Sequence, residues 1–557
     1  MRAHFVLSLV IVAGSLSSRA ETSDAYLLGN WQLGGDVTQE ELDAFSTDID
    51  YRPSGTDGGP TAAEVATFNG RTSQIEIPAS QAPRLGTGNF TISVWASVEG
   101  TSTDLPGEII SQYDPITRKG FRLGIDSRPG VTSSQANWRN VHFGIDNGSE
   151  PGEWTDHGRL GHAVLIFGMT VFDGQLFAGT CEAGLDEAGR VFRFDGKAWT
   201  DCGAPDRCNS VSSLAVHDGH LYVGVSKYRL RGSSLAESDN PNLGGTVYRY
   251  DGDNQWTNCG KLPDVEAING MVVFDGKLYA SSMYAPASFF RYEGGAKWTS
   301  CGVPDDKRVE SLTVHNGHIY ATGYDQGAVY RYDGENWEQM GIIEGATQTY
   351  GFATYRDDLY VSEWPNAKVY RHFGGTNWQD VGQLGEEKET MPLVVYNGKM
   401  YGGTLPLAEV YRFDEGHDLV ASTSWTQVAR LDHTPDVRYR RVWTMSVFQG
   451  RLFAGVLPSG HVHSIEIGRN VTHDRTLTPG WHHIAAVRDS DHLNLYVDGE
   501  HVSTSTSFGG KEYDLTSDQP LRIGYGTTDH FRGQVSDLRI EQRALTPEEI
   551  SMLAKSG

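Results

Sequence analysis

Five cysteines in 557 residues, none of them in a CxxC pair, supply neither a zinc-finger ligand set nor a dense disulfide framework. Basic side chains are also scarce. Lys and Arg total 46 against 71 Asp and Glu, and the formal net charge of −25 repels phosphate backbones, which excludes nucleic acid as a partner. No apolar run reaches the roughly 20 residues that a membrane-spanning helix needs. Helical periodicity is missing from the middle of the chain, which argues against a helical solenoid. G-x-S-x-G, H-E-x-x-H and a phosphate-binding loop are absent too, so no hydrolase or nucleotide motif presents itself.

The first twenty residues, MRAHFVLSLVIVAGSLSSRA, place an Arg before a short apolar run and end on small residues, the pattern of a secretory signal peptide. The expected location is secreted, that is, periplasmic or extracellular. Export permits disulfides. Cys208 has Cys181 and Cys202 as candidate partners, and an odd total leaves at least one thiol free. Cys202, Cys259 and Cys301 share one repeat position, W-T-x-C-G, which points to packing between repeats rather than to a ligand set. Sequons stand at Asn89, Asn147 and Asn470.

What the chain has in abundance is repetition. AVYRYDGENWEQMG (328–341) recurs in variant form at 190–203, 246–260, 288–302 and 368–382, each time after a second refrain such as LTVHNGHIYATG (312–323). The turns of that refrain fall at Asp173-Gly174, Asp218-Gly219, Asp275-Gly276, Asn316-Gly317, Asp357-Asp358, Asn397-Gly398 and Gln449-Gly450, in steps of 45, 57, 41, 41, 40 and 52 residues. Apolar and polar residues alternate around Asn-Gly and Asp-Gly, the preferred two-residue hairpin turns. Each unit therefore reads as four strands, A to D, at the length of a propeller blade of the kelch or WD type. Seven units predict a seven-bladed β-propeller over residues 149–468. The last unit lacks a D strand, and EWTDHGRLG (153–161), which precedes the first unit, is the piece that would complete it and close the ring.

The flanks, 21–148 and 469–557, consist of short alternating strands separated by longer loops. WHHIAAVRDSDHLNLYVDG (481–499) and FRGQVSDLRI (531–540) resemble the laminin-G-like, concanavalin A-like jelly-roll family. The resemblance covers both flanks and implies one all-β sandwich, cut in two by the propeller inserted into it. At its end Thr546, Pro547 and Glu549 spell a helix N-terminus with a capping box. The family also implies calcium, with Asp537 in QVSDLRI matching an acidic position that it often keeps. No companion ligand is identifiable, and His482 and His483 fit the family's strand without a role in chemistry.

Variable loops on a rigid scaffold are where binding concentrates. Residues entering strand A around the channel are Phe167, Ser212, Asn269, Glu310, Tyr350, Met391 and Trp443. The B–C loops add Tyr284, Tyr324 and Trp364, and DVRYRRVW (436–443) adds Arg438, Arg440 and Arg441. Tyr324, Tyr350, Trp364, Arg440 and Trp443 form the candidate ligand site: aromatic faces for a sugar ring, a guanidinium for a carboxylate or sulfate. The bland alternative is that these side chains plug the channel or pack between blades. His461 and His463 alternate on one face, but two His without a third ligand are more often structural. A sialidase-type site would need convergent arginines and an S-x-D-x-G-x-T-W box, and that box is absent.

The expected function is recognition of a glycan or a cell-surface or extracellular protein, without catalysis. A polysaccharide hydrolase or lyase with its site at the propeller mouth is the alternative, and a docking scaffold a third. Clustered carboxylates in a deep mouth would favour the enzyme, a shallow aromatic shelf would favour binding, and a sealed channel the scaffold.

Overall fold

A computed structural model describes residues 27–31, 45–53, 59–60, 64–99, 106–130, 135–416 and 424–556; the leader proposed for residues 1–20 lies outside them. The repeats form propeller-like blades. In each refrain two residues take left-handed backbone angles, as at Asn316 (φ 48°) and Gly317 (φ 76°), and the pair His315 and His318 closes the hairpin around them. This is the geometry that Asn-Gly favours. One unit departs from the alignment. Its turn is Arg356-Asp357 (φ 50° and 73°), closed by Tyr355 and Asp358, one residue earlier than the sequence alignment placed it. Neither residue is Gly, so the left-handed pair is strained. Their amides donate to the Thr527 and Thr528 carbonyls, both at 3.1 Å, and hold the turn in place.

The second refrain sets the spacing between blades. Its strand-C aromatic meets its strand-D Trp at a nearly constant separation: Tyr250–Trp256, Tyr292–Trp298 and Tyr332–Trp337 at 4.9 Å, His372–Trp378 at 4.8 Å, Phe413–Trp425 at 5.0 Å. The indole N–H then reaches back one unit. Trp256 donates to the Cys202 carbonyl (3.0 Å), Trp298 to Cys259 (2.8 Å), Trp378 to Met340 (2.9 Å) and Trp425 to Val381 (3.2 Å). At two of the three W-T-x-C-G positions, Cys202 and Cys259, the carbonyl is thus an acceptor between blades; the indole N–H of Trp337, which follows Cys301, is buried without a partner. All five cysteines are free thiols, and four are buried.

Five separate four-stranded antiparallel sheets result. Seven separate sheets are not found: the strands of the first two units run together into one eight-stranded sheet, joined where Cys181 pairs with Ser210. One of the five sheets is completed from the other end of the repeat region, by Thr155–Arg159 pairing antiparallel with His461–Ile465.

Two further sheets, of eight and seven strands, each combine strands from before residue 148 with strands from after residue 468. Phe90–Val98, for example, lies between Gly480–Asp489 and Arg532–Glu541. Their facing sides enclose one apolar core that includes Phe68, Ile92, Phe121, Phe143, Ile484 and Leu538. The helix Pro547–Lys555 carries the full capping box between Thr546 and Glu549.

Strand alternation in the seven-stranded sheet sends Phe121, Leu123 and Ile125 into that core and Arg122 and Asp126 to the other side. That outward side is nevertheless buried, because the blades cover it. Arg122 is 0 % exposed, donates to Asp126 (2.9 Å) and to Glu108, and lies 3.0 Å from His142 Nδ1. Arg128 donates to the Val395 carbonyl (2.8 Å), Tyr113 to the Asn397 carbonyl (3.1 Å) and Lys399 to the Pro115 carbonyl (2.8 Å). Gly144 is needed for this approach, since a Cβ there would stand 2.4 Å from the Asn397 Oδ1. Contacts extend beyond one blade. Gln135 and Asn137 reach Leu214, Thr170 and Val447 on strands A of different units. The sandwich therefore covers the A–B turn end of the blades across its middle.

Candidate functional site

Strands A are seven or eight residues long, so their first residues stand roughly 20 Å from the turns the sandwich covers. At that far end lies a cavity of 860 Å³. Four of the five residues expected to bind ligand line it: Tyr324, Tyr350, Trp364 and Trp443. Arg440 does not. Its guanidinium donates to the Thr434 (2.6 Å) and Val437 (3.4 Å) carbonyls of its own loop. Arg441 takes its place, with its guanidinium carbon 4.7 Å from the Trp443 ring centroid. The reason is the period of two in a strand: 441 and 443 share a face and 440 does not. That signal was present in the sequence.

The four aromatics fall into two classes. Trp443 and Tyr350 are 4 % and 7 % exposed and belong to the apolar floor, where Trp443 packs edge-on against Phe167 (4.9 Å) and Tyr228 (5.8 Å). For these two, packing in the channel is the better description. Tyr324 and Trp364 are only half-buried and stand on the wall. Tyr228 comes from a long loop, residues 227–245, which accounts for the 57-residue step. Its short helical turn Leu230–Ser233 buries Leu230 over the floor. At the rim Arg229 lies 4.2 Å over Tyr284 and Arg308 lies 4.2 Å over Tyr324, with Arg308 also forked onto Asp325.

Two carboxyl groups sit in the floor. Glu389 faces Arg441: Nη2 donates to Oε2 at 3.2 Å, while Nε approaches Oε1 at 2.9 Å off the hydrogen-bonding angle. Burial raises the Glu389 carboxyl against the pull of Arg441. Glu310 has no such partner. Its Oε2 is buried without a hydrogen bond, and burial, with Glu389 adding to it, pushes the carboxyl up to about 8 against the pull of Arg441, Arg308 and Asn269. At neutral pH Glu310 is thus mainly a neutral acid, able to donate a proton or a hydrogen bond. Only its position at the start of strand A was visible in the sequence; its burial beside Glu389 was not.

Asp537 stands apart from this cavity. Both its oxygens accept from Arg539, each at 2.9 Å. A carboxylate closed by a guanidinium fork does not fit a calcium ligand, which needs several oxygens turned to one point. His482 bonds Asp498 (2.8 Å), and burial lowers His483 to about 4.

A family model described as the concanavalin A-like lectin/glucanases superfamily matches residues 440–551. The match begins in the last blade, and from residue 469 it runs through the second group of sandwich strands. No curated protein matches the chain. Among solved structures, a catalytically inactive virginiamycin B lyase from Staphylococcus aureus with quinupristin is 12% identical, with a TM-score of 0.44 over 57% of this chain and 99% of that one. A streptogramin B lyase is 10% identical, with a TM-score of 0.44 over 57% and 98% of the two chains. The WD40 repeats of RRP9 are 11% identical, with a TM-score of 0.39 over 57% and 99%. Likenesses of this strength carry no argument about activity. Among the described residues no helix is long and apolar enough to cross a membrane.

Proposed function

We propose that this chain is an exported recognition protein that takes a saccharide into the mouth of a seven-bladed ring, the eight-stranded sheet counting as two blades. On this reading the ring is an insertion in the sandwich, between residues 148 and 469. One observation carries the choice of the mouth over the sandwich: the outward face of the seven-stranded sheet is occupied by the blades, with Arg122 fully buried there, while the far end of the strands opens into 860 Å³. Trp364 on the wall, with the side of Tyr324 turned away from Arg308, offers an apolar face of the kind a pyranose ring stacks on, and Glu310 below them offers a hydrogen-bond donor to a hydroxyl. The concanavalin A-like match supports a carbohydrate or protein partner without naming one.

A second reading rests on Glu310. A carboxyl held neutral near pH 7 in a deep cavity, beside a second carboxyl at Glu389, is the kind of group that protonates a leaving oxygen. On that reading the chain cleaves its saccharide, with Glu310 as the acid. Calcium held by Asp537 would require Arg539 to give way and is not part of either reading.

A glycan array probed with the wild type and with Trp364→Ala and Tyr324→Ala tests the proposal. Binding to a defined glycan that is lost in both variants supports it. Binding that both variants keep moves the site away from the mouth. Release of shortened products from the bound glycan, abolished in Glu310→Gln, replaces recognition by catalysis.

A further inference from the structure

The two histidines of HVHSI have a third partner that no local reading of the sequence supplies. Asp156 lies on Thr155–Arg159, the strand that closes the last blade, and its register places it directly across from His463 on His461–Ile465. One ligand atom from each of Asp156, His461 and His463 lies within 4.8 Å of the other two, and Asp156 Oδ1 also accepts from the Gly158 amide (2.8 Å). His461 Nδ1 sits 2.9 and 3.0 Å from the two Asp156 oxygens, and the two imidazole rings stack at 6.1 Å.

His463 is the telling member. It is 9 % exposed, and its Nε2 is buried without any hydrogen-bond partner, a cost that a packed imidazole normally avoids. Neighbouring polar groups are already committed. His157 bonds the Ser464 hydroxyl (2.8 Å), and the Asp432 oxygens accept from the Thr434 (2.8 Å) and Ser459 (3.1 Å) amides. The group therefore has three members. Its outer side is open, since the Asp156 and His461 side chains are 50% and 33% exposed, and water can complete a coordination shell there.

We propose that Asp156, His461 and His463 bind one divalent transition ion of the zinc type, and that the ion clamps the seam where the two ends of the repeat region meet. Two imidazoles and one carboxylate suit such an ion rather than calcium or magnesium, which prefer oxygen throughout. Zn–N bonds of about 2.0–2.1 Å bring ligands to about 3.3 Å from one another, a contraction that the exposed Asp156 and half-buried His461 can make. The residues joined are 305 apart in the chain, so an ion held only by the closed ring favours closure over opening.

The test uses the full chain without an affinity tag. Zinc uptake is measured in competition with a chromogenic chelator for the wild type and for His461→Gln, at a half-buried position, and Asp156→Asn, at an exposed one. Near-UV circular dichroism verifies that each variant is folded, and a urea titration is run with and without zinc. The expected result is one equivalent of zinc bound by the wild type, an affinity lower by about tenfold or more in both variants, and a urea midpoint that zinc raises in the wild type only. Failure of the folded wild type to take up zinc, or equal affinity in wild type and variants, overturns the proposal. Neither result bears on the mouth, which lies on other residues.

Discussion

The indole Nε1 of Trp298 donates to the carbonyl of Cys259, one repeat earlier, at 2.8 Å. The bond recurs at Trp256, Trp378 and Trp425, and it explains why a small thiol can occupy the acceptor position, whose side chain is not what the indole reads. Trp298→Phe keeps the ring contact with Tyr292 and removes the donor. It is expected to cost about 1 kcal/mol, measured as the urea midpoint at an unchanged slope. Cys259→Ser, which retains the carbonyl, should leave that hydrogen bond in place.

Arg441 and Glu389 are both buried and compensate one another. Arg441→Met strands the carboxylate and should destabilise the fold by about 3–5 kcal/mol, a loss that Glu389→Gln in the same chain largely restores. Arg440→Ala, by contrast, removes only donors to loop carbonyls and should cost about 1 kcal/mol. Thermal melts of the three variants distinguish them.

Glu310 titrates at about 8 in the fold against an ordinary 4.5. Its folded-state value is raised, so between about 4.5 and 8 the unfolded chain has released a proton that the fold retains, and this group's contribution to stability falls as pH rises through that window. Glu310→Gln abolishes the penalty. The variant's advantage over the wild type should grow from near zero below pH 4.5 to at most about 5 kcal/mol above pH 8. Denaturant midpoints of both proteins across the range measure it.

His142 moves the other way. Burial, with Arg122 and Arg128 beside it, lowers it to about 4 from 6.5. As pH falls from about 6.5 to about 4 the unfolded chain gains a proton that the folded imidazole refuses, and up to about 3 kcal/mol is lost. His142→Gln should flatten the stability profile over that window, relative to the wild type, in the same denaturant series.

Much of the fold is legible in the chain because its signals are local. Asn316-Gly317 dictates a hairpin whatever surrounds it, and EWTDHG declares its kinship to NWEQMG by sequence alone. The slip at Arg356-Asp357 shows the limit, since a turn without glycine carries no marker of its own. Long-range coverage is harder. KGFRLGIDSR alternates like a strand with a solvated face, and only the blades packed over it make Arg122 and Asp126 buried. At the mouth, the alternation that pairs Arg441 with Trp443 could be read beforehand, whereas the loop 227–245 that lays Tyr228 on Trp443 has no period to read. Asp156 joins His461 and His463 through strand register across 305 residues, which no spacing rule conveys.

The central claim, that the ligand enters the propeller mouth and not the sandwich, is tested most directly by hydrogen exchange with and without the best glycan from the array. Protection confined to peptides covering 228–237, 283–284, 324, 364 and 437–443 is the predicted result. Protection confined to sandwich strands on either side of the repeats, with those peptides unchanged, would contradict it.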